Sequence, residues 1–161
     1  MTPKPEAARS PKARRAMFVR RWRGAAIAIA AAGIVALITV TGGDRATGLV
    51  LTVALLVAGW LVSPVLFPRG PDWTTAQQLA QTRGVPLILW KPGCAYCIRL
   101  RLTLGTAGSR AIWVDIWADE NAAAATRSLN DGNETTPTVI TADGARTNPQ
   151  PGWVKAQLKT S

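Results

Sequence analysis

Two long uncharged stretches constrain this chain more than any other feature. Residues 24–43 read GAAIAIAAAGIVALITVTGG and residues 46–68 read ATGLVLTVALLVAGWLVSPVLFP, with only Asp44 and Arg45 between them. Roughly 20 apolar residues suffice to carry a helix across a ~30 Å hydrocarbon core. The pattern predicts two transmembrane helices, over about 25–42 and 47–67, joined as a tight hairpin. Gly24, Ala28, Ala32 and Ala36 recur every fourth residue, which would let two helices approach closely. The abundance of alanine alone could produce the same spacing. Trp22 and Trp60 are candidates for the membrane–water interface.

Charge is segregated along the chain. Residues 1–24 hold eight Lys/Arg against Glu6, whereas residues 71–161 hold nine against seven acidic residues. The overall net charge of +10 therefore belongs mostly to a tail, which argues against a folded nucleic-acid-binding face. Residues 1–23 are Pro-, Lys- and Arg-rich, and are expected to form a disordered basic tail. The positive-inside rule keeps this tail in the cytoplasm, and two crossings return the C-terminal residues 71–161 to the same side. That places the chain in the cell (inner) membrane as a two-span protein with both termini cytoplasmic. A cleaved signal peptide is an alternative reading of Arg20-Arg21-Trp22-Arg23 and the apolar run after it. The second span would still leave the C-terminus inside.

The chain has no histidine and only two cysteines. A His general base, a Ser-His-Asp triad and His-based or four-cysteine zinc sites are thereby excluded. Residues 71–161 suffice for one small α/β domain. Helices are expected over 73–83, capped by Asp72 or Thr74 and stopped by Gly84, and over 94–104, 119–129 and 149–158. The apolar runs VPLILW (85–90) and AIWVDIW (111–117) read as buried strands. TVIT (138–141) and residues 145–147 flank Ala-Asp-Gly as an antiparallel hairpin. Ile98, Leu100, Leu102 and Leu104 alternate in a strand-like way, so the 94–104 helix rests on the motif that opens it.

That motif is Lys91-Pro-Gly-Cys94-Ala-Tyr-Cys97, where a predicted strand passes into a predicted helix. A Cys-x-x-Cys in this setting reads as a redox dithiol. Unpaired amides and the helix dipole at an N-terminus favour a thiolate on Cys94. Lys91 adds positive potential. Cys97, one turn on, can attack a mixed disulfide formed on Cys94. The alternatives are a half-site for an intermolecular zinc and a structural disulfide, which would close too short a loop to stabilise much. Pro137, in Thr135-Thr136-Pro137-Thr138, stands where a cis bond could present the backbone of Thr136 to a bound thiol. It could equally begin an edge strand.

Cys94-Ala-Tyr-Cys97, Thr135-Thr136-Pro137 and the Ala-Asp-Gly hairpin resemble the glutaredoxin branch of the thioredoxin superfamily. The nearest likeness is to the mycoredoxins, the glutaredoxin-like proteins of mycothiol-using bacteria. Cys97-Ile-Arg-Leu-Arg101, Asn130-Asp-Gly-Asn-Glu-Thr-Thr-Pro-Thr138 and Thr147-Asn-Pro149 carry it further, over residues 85–158. The resemblance implies an α/β, thioredoxin-like (glutaredoxin-type) mixed four-stranded sheet with flanking helices, here preceded by a two-helix transmembrane hairpin (24–70). It implies that Cys94 is the nucleophile, Cys97 the resolving thiol and Pro137 cis. Thr136 would pair through its backbone with the bound thiol, and Lys91 and Tyr96 would line the groove. No bound cofactor and no metal is implied. The co-substrate is a low-molecular-weight thiol, and the partners are oxidised proteins.

Where glutaredoxins carry Gly-Gly-x-Asp-Asp for a glutathione carboxylate, this chain has Thr147-Asn-Pro-Gln-Pro151. That departure favours mycothiol, which lacks those carboxylates. Ala95-Tyr96 also differs from the commoner Pro-Tyr or Gly-Tyr. The expected activity is reduction of protein–thiol mixed disulfides by a membrane-tethered oxidoreductase. A non-catalytic scaffold for a membrane partner, and an oxidoreductase facing away from the cytoplasm, are the rival readings.

Overall fold

The computed structural model describes residues 11–42 and 44–159. Ten principal elements follow one another. They are α1 (Pro11–Thr41), α2 (Arg45–Val62), α3 (Trp73–Arg83), β1 (Leu87–Trp90), α4 (Ala95–Leu104), β2 (Ile112–Asp115), α5 (Glu120–Ser128), β3 (Thr138–Thr141), β4 (Gly144–Thr147) and α6 (Pro151–Gln157). Short 3-10 turns lie at Pro64–Leu66 and Gly105–Arg110.

The two apolar stretches form antiparallel neighbours, α1 and α2, both long and apolar enough to cross a membrane. Small residues set their spacing. Ala25 and Ala32 are buried on the inner face of α1, and a Cβ on Gly59 would stand 3.1 Å from the Cβ of Ala28. At Gly48 the approach is closer still, since a Cβ there would overlap the Thr39 side chain at 1.9 Å. The outer faces stay apolar and uncovered, with Ile27, Ile34, Leu37, Leu49, Val50 and Val57 all exposed. So large an uncovered apolar surface marks an interaction with lipid or protein.

Two boundaries differ from expectation by more than two residues. The segment 11–23, expected as disordered tail, continues the apolar helix from Pro11 onward. Proline suits a first helical turn, and the Ala, Arg, Lys and Met that follow extend a helix already nucleated. Residues 1–10 of the expected tail lie outside the described residues. The second span, expected to reach about residue 67, ends at Val62. Pro64 disfavours helix at Ser63, whose extended backbone ends α2 and whose Oγ then caps the 3-10 turn. Phe67 consequently leaves the hairpin and enters the core of the following domain.

In that domain the strands lie in the order β2-β1-β3-β4. β1 is parallel to β2, with Trp90 opposite Asp115, and antiparallel to β3, with Leu89 opposite Thr138. The β3–β4 pair is the expected hairpin. β1 is covered on both faces, which explains its unbroken apolar run. Ile88 and Trp90 point to a layer with Leu100 and Leu104 from α4, Val154 from α6 and Leu158 just after it. Leu87 and Leu89 point to the opposite layer, with Ala76 from α3 and Ala122 and Ala123 from α5. This is the expected mixed four-stranded sheet with flanking helices.

The hairpin and the domain are packed together. Phe67 stacks on Trp90 with ring centroids 3.8 Å apart. Gly70 runs so close to β2 that a Cβ would fall 1.7 Å from the Trp113 carbonyl oxygen. Arg21 of α1 pairs with the buried Asp115 at 2.7 Å.

Candidate active site

β1 ends at Trp90, and a turn through Pro92 and Gly93 delivers Cys94 to the N-terminus of α4. Gly93 takes a φ of +73°, open to glycine at little steric cost. Cys94 is the N-cap of α4, with extended backbone, and its Sγ accepts the N–H of Cys97 at 3.2 Å. A sulfur here occupies the place usually taken by a Ser, Thr or Asp oxygen. It therefore feels the unpaired amides that open the helix.

The opposite wall comes from the loop before β3. The Thr136–Pro137 peptide is cis. The Thr136 carbonyl lies 3.3 Å from Cys94 Sγ, and the Thr136 hydroxyl donates to the same sulfur at 3.4 Å. The two cysteines are not bridged; Cys94 is partly exposed and Cys97 is fully buried.

These contacts divide the two thiols sharply. The Cys94 thiol falls well below the usual cysteine value, to about 6. The hydrogen bond from the Cys97 thiol contributes most, against an opposing effect of burial. The Thr136 hydroxyl, the Cys97 amide and the Lys91 charge lower it further. Cys97 moves the other way, pushed up first by burial and then by its bond to Cys94 and the charge there. At neutral pH Cys94 is the thiolate and Cys97 holds its proton.

The residues expected at the site are gathered around this pair. Lys91 Nζ donates to the Glu134 carbonyl at 2.8 Å, which ties the strand end to the loop before Pro137. Tyr96, exposed on the first turn of α4, lines a cleft of about 90 Å³ with Pro137, Arg99, Asn148, Pro149 and Pro151. Pro137 is held from behind by the Asn148 amide at 2.8 Å. A cavity of about 780 Å³ lies elsewhere, between the hairpin and the domain, with Trp22, Phe67 and Asp115 among its lining. The dithiol does not open into it. Among the described residues no cluster of three or more His, Cys, Asp or Glu side chains could hold a metal.

Glu134 escaped the sequence reading as a functional residue, as did the contacts that Arg20 and Trp117 make with it. The Glu134 carboxylate accepts Arg20 at 2.8 Å, Arg127 at 2.9 Å and the Trp117 indole at 3.3 Å. Burial opposes ionisation there, but the Arg20 charge, the indole and Arg127 outweigh it and hold the carboxyl below its usual range. No local pattern announces a contact between residues 114 positions apart.

A mixed sheet that carries Cys-x-x-Cys at the end of its central parallel strand, facing a cis-proline loop, defines a thioredoxin-like thiol–disulfide protein. The Glutaredoxin family model matches residues 87–145. Two Mycobacterium tuberculosis proteins (strains CDC 1551 / Oshkosh and ATCC 25618 / H37Rv), each named "Putative glutaredoxin", are 43% identical over 68 residues, covering 40% of this chain and 79% of theirs. The chain belongs to the glutaredoxin family.

Proposed function

We propose that this protein is a membrane-tethered thiol–disulfide oxidoreductase that reduces mixed disulfides between proteins and a low-molecular-weight thiol, mycothiol. The single observation carrying this reading is the pairing of a partly exposed thiolate, Cys94, with a buried protonated thiol, Cys97, one turn away. The Cys94 thiolate attacks the small-thiol sulfur of the mixed disulfide. One S–S bond breaks as another forms, and the protein leaves as its own thiolate. A second small thiolate then attacks the small-thiol sulfur held on Cys94, giving a symmetrical disulfide and regenerating Cys94. Alternatively Cys97 loses its proton and attacks Cys94, releasing the small thiol and leaving a Cys94–Cys97 disulfide that two further thiols reduce. The same two electrons pass in either route.

The Thr147–Pro151 segment supports mycothiol, because it lacks the Gly-Gly-x-Asp-Asp element by which glutaredoxins hold a glutathione carboxylate. Asn148, Pro149 and Pro151 of this segment line the cleft beside Tyr96 and Arg99. The exposed apolar faces of α1 and α2 support membrane insertion, and the basic residues before the first span support a cytoplasmic domain. The contacts of Arg21 with Asp115 and of Phe67 with Trp90 involve the ends of β2 and β1 nearest the dithiol. The site would then be held near the membrane surface.

Turnover of a protein–mycothiol mixed disulfide by the full chain in detergent or nanodiscs tests the activity. Cys94→Ser should abolish it, and unchanged turnover would end the proposal. A membrane-impermeant thiol reagent tests the sidedness. Labelling of Cys94 should require lysis, and labelling of intact cells would reverse the orientation.

A further inference from the structure

Four side chains converge on Glu134, a residue with no direct contact to either sulfur. Arg20, Arg127 and Trp117 hold its carboxylate, and Lys91 holds its carbonyl. Arg20 also lies over the Trp117 ring, 4.3 Å from its centroid. Arg20, Trp117 and Glu134 therefore close a triangle in which each touches the other two. Of these residues only Arg20 comes from outside residues 87–145, the segment that defines the family.

We propose that Arg20, on the helix preceding the glutaredoxin domain, is a positioning residue of the thiol site, fixing through Glu134 the carbonyl that holds Lys91 and the loop that presents Thr136 to Cys94. The inference rests on Cys94 being the reactive thiol. Glu134 is two residues from Thr136, so locking its side chain from two directions restricts the backbone that faces the sulfur. Lys91 contributes its charge to the thiolate only from the place where the Glu134 carbonyl keeps it. An arginine suits the task because a planar guanidinium can stack on an indole while its edge donates to a carboxylate. An ammonium has no planar face to stack while its edge donates. Arg127 remains on the other oxygen of Glu134, so losing Arg20 should loosen the loop rather than unfold it.

The experiment uses the full chain in nanodiscs with Arg20→Gln, Arg20→Lys and, as a control for net charge, Arg23→Gln. Two quantities are read for each: the pH dependence of Cys94 alkylation, and KM and kcat for a protein–mycothiol mixed disulfide. Arg20 is half exposed and its ion pair correspondingly weak, so Arg20→Gln should raise KM roughly two- to five-fold with a smaller change in kcat. It should also move the Cys94 titration upward, as Lys91 loses its fixed seat. Arg20→Lys should fall between Gln and wild type, and Arg23→Gln should match wild type. High salt should narrow the difference. Wild-type behaviour of Arg20→Gln in both quantities, or an equal effect from Arg23→Gln, would overturn the inference. Absence of turnover in the wild type would instead defeat the proposed activity, and the alkylation profiles would still decide the role of Arg20.

Discussion

The Cys94 sulfur and the Thr136 carbonyl oxygen lie 3.3 Å apart although 42 residues separate them in sequence. The contact joins the N-terminus of α4 to the loop before β3, and the Cys94 thiol sits in the seam between them. Neither side makes the site alone. The helix supplies amide donors, and the loop supplies a hydroxyl and a carbonyl.

The Cys97 thiol bears directly on the ionisation of Cys94. Its thiol hydrogen bond is the largest influence holding Cys94 down. A hydrogen bond to a charged group is worth about 1.5–3 kcal/mol, or about one to two pH units. Cys97→Ala should raise the Cys94 titration by about that much, followed by the ultraviolet absorbance of the thiolate. Cys97→Ser, which keeps a donor, should raise it less. Equal titrations in the two variants would show that the bond is unimportant.

Thr136→Val removes the hydroxyl donor to Cys94 and leaves the backbone carbonyl in place. The second-order rate of Cys94 alkylation near neutral pH should fall by less than ~10-fold, as expected for one weak bond to sulfur. The fold should survive, as shown by an unchanged unfolding midpoint. A rate equal to wild type would remove Thr136 from the set that stabilises the thiolate.

The Arg21–Asp115 pair is partly buried, with Asp115 the more enclosed partner. Burial raises the Asp115 carboxyl above its ordinary value, and Arg21 limits that rise. Because the folded pKa is the higher one, Asp115 costs stability as pH climbs above the unfolded value, and Arg21 offsets part of that cost. Arg21→Ala should therefore destabilise the full chain near pH 7 by up to about 3 kcal/mol, the low end of the range for breaking a buried pair. The deficit should shrink as pH falls toward 4 and Asp115 takes a proton in both proteins. Tryptophan fluorescence during denaturant unfolding reads it. A deficit that grows on acidification would contradict the assignment.

Phe67 follows the hairpin in sequence but belongs to the domain core, stacked on Trp90. Phe67→Ala should cost about 3–5 kcal/mol, the usual range for deleting a buried ring, in the same unfolding measurement. If Phe67 instead faced lipid, the domain's stability would not change.

Much of this molecule is legible in sequence because its elements are locally determined. VPLILW is readable as β1 since a strand covered on both faces shows no polar alternation. Asp72 and Gly84 bracket α3 by capping chemistry alone. The dithiol and the Thr-Thr-Pro loop are compact motifs, and the fold brings them together.

Helix α4 was harder to read. Ile98, Leu100, Leu102 and Leu104 alternate like a strand, yet the buried set is Cys97, Leu100 and Leu104, at helical spacing, with Leu102 left exposed. Composition hid other features. The basic residues after Pro11 read as tail but form helix. Pro64 ends the second span early, and Leu66 and Phe67 beyond it serve the domain instead of the hairpin. Arg20, Arg21 and Glu134 had no local pattern at all, because their partners lie across the tertiary fold. Long-range polar contacts of this kind depend on docking, which periodicity and spacing do not encode.

The most direct test of the account is the alkylation rate of Cys94 in the reduced full chain, followed as a function of pH. Burial of Cys97 keeps it from contributing. The rate should be half-maximal near pH 6, the value to which the surrounding donors hold the Cys94 thiol, and reach a plateau above neutrality. A half-maximal rate near the ordinary cysteine value of about 8.5 would contradict it.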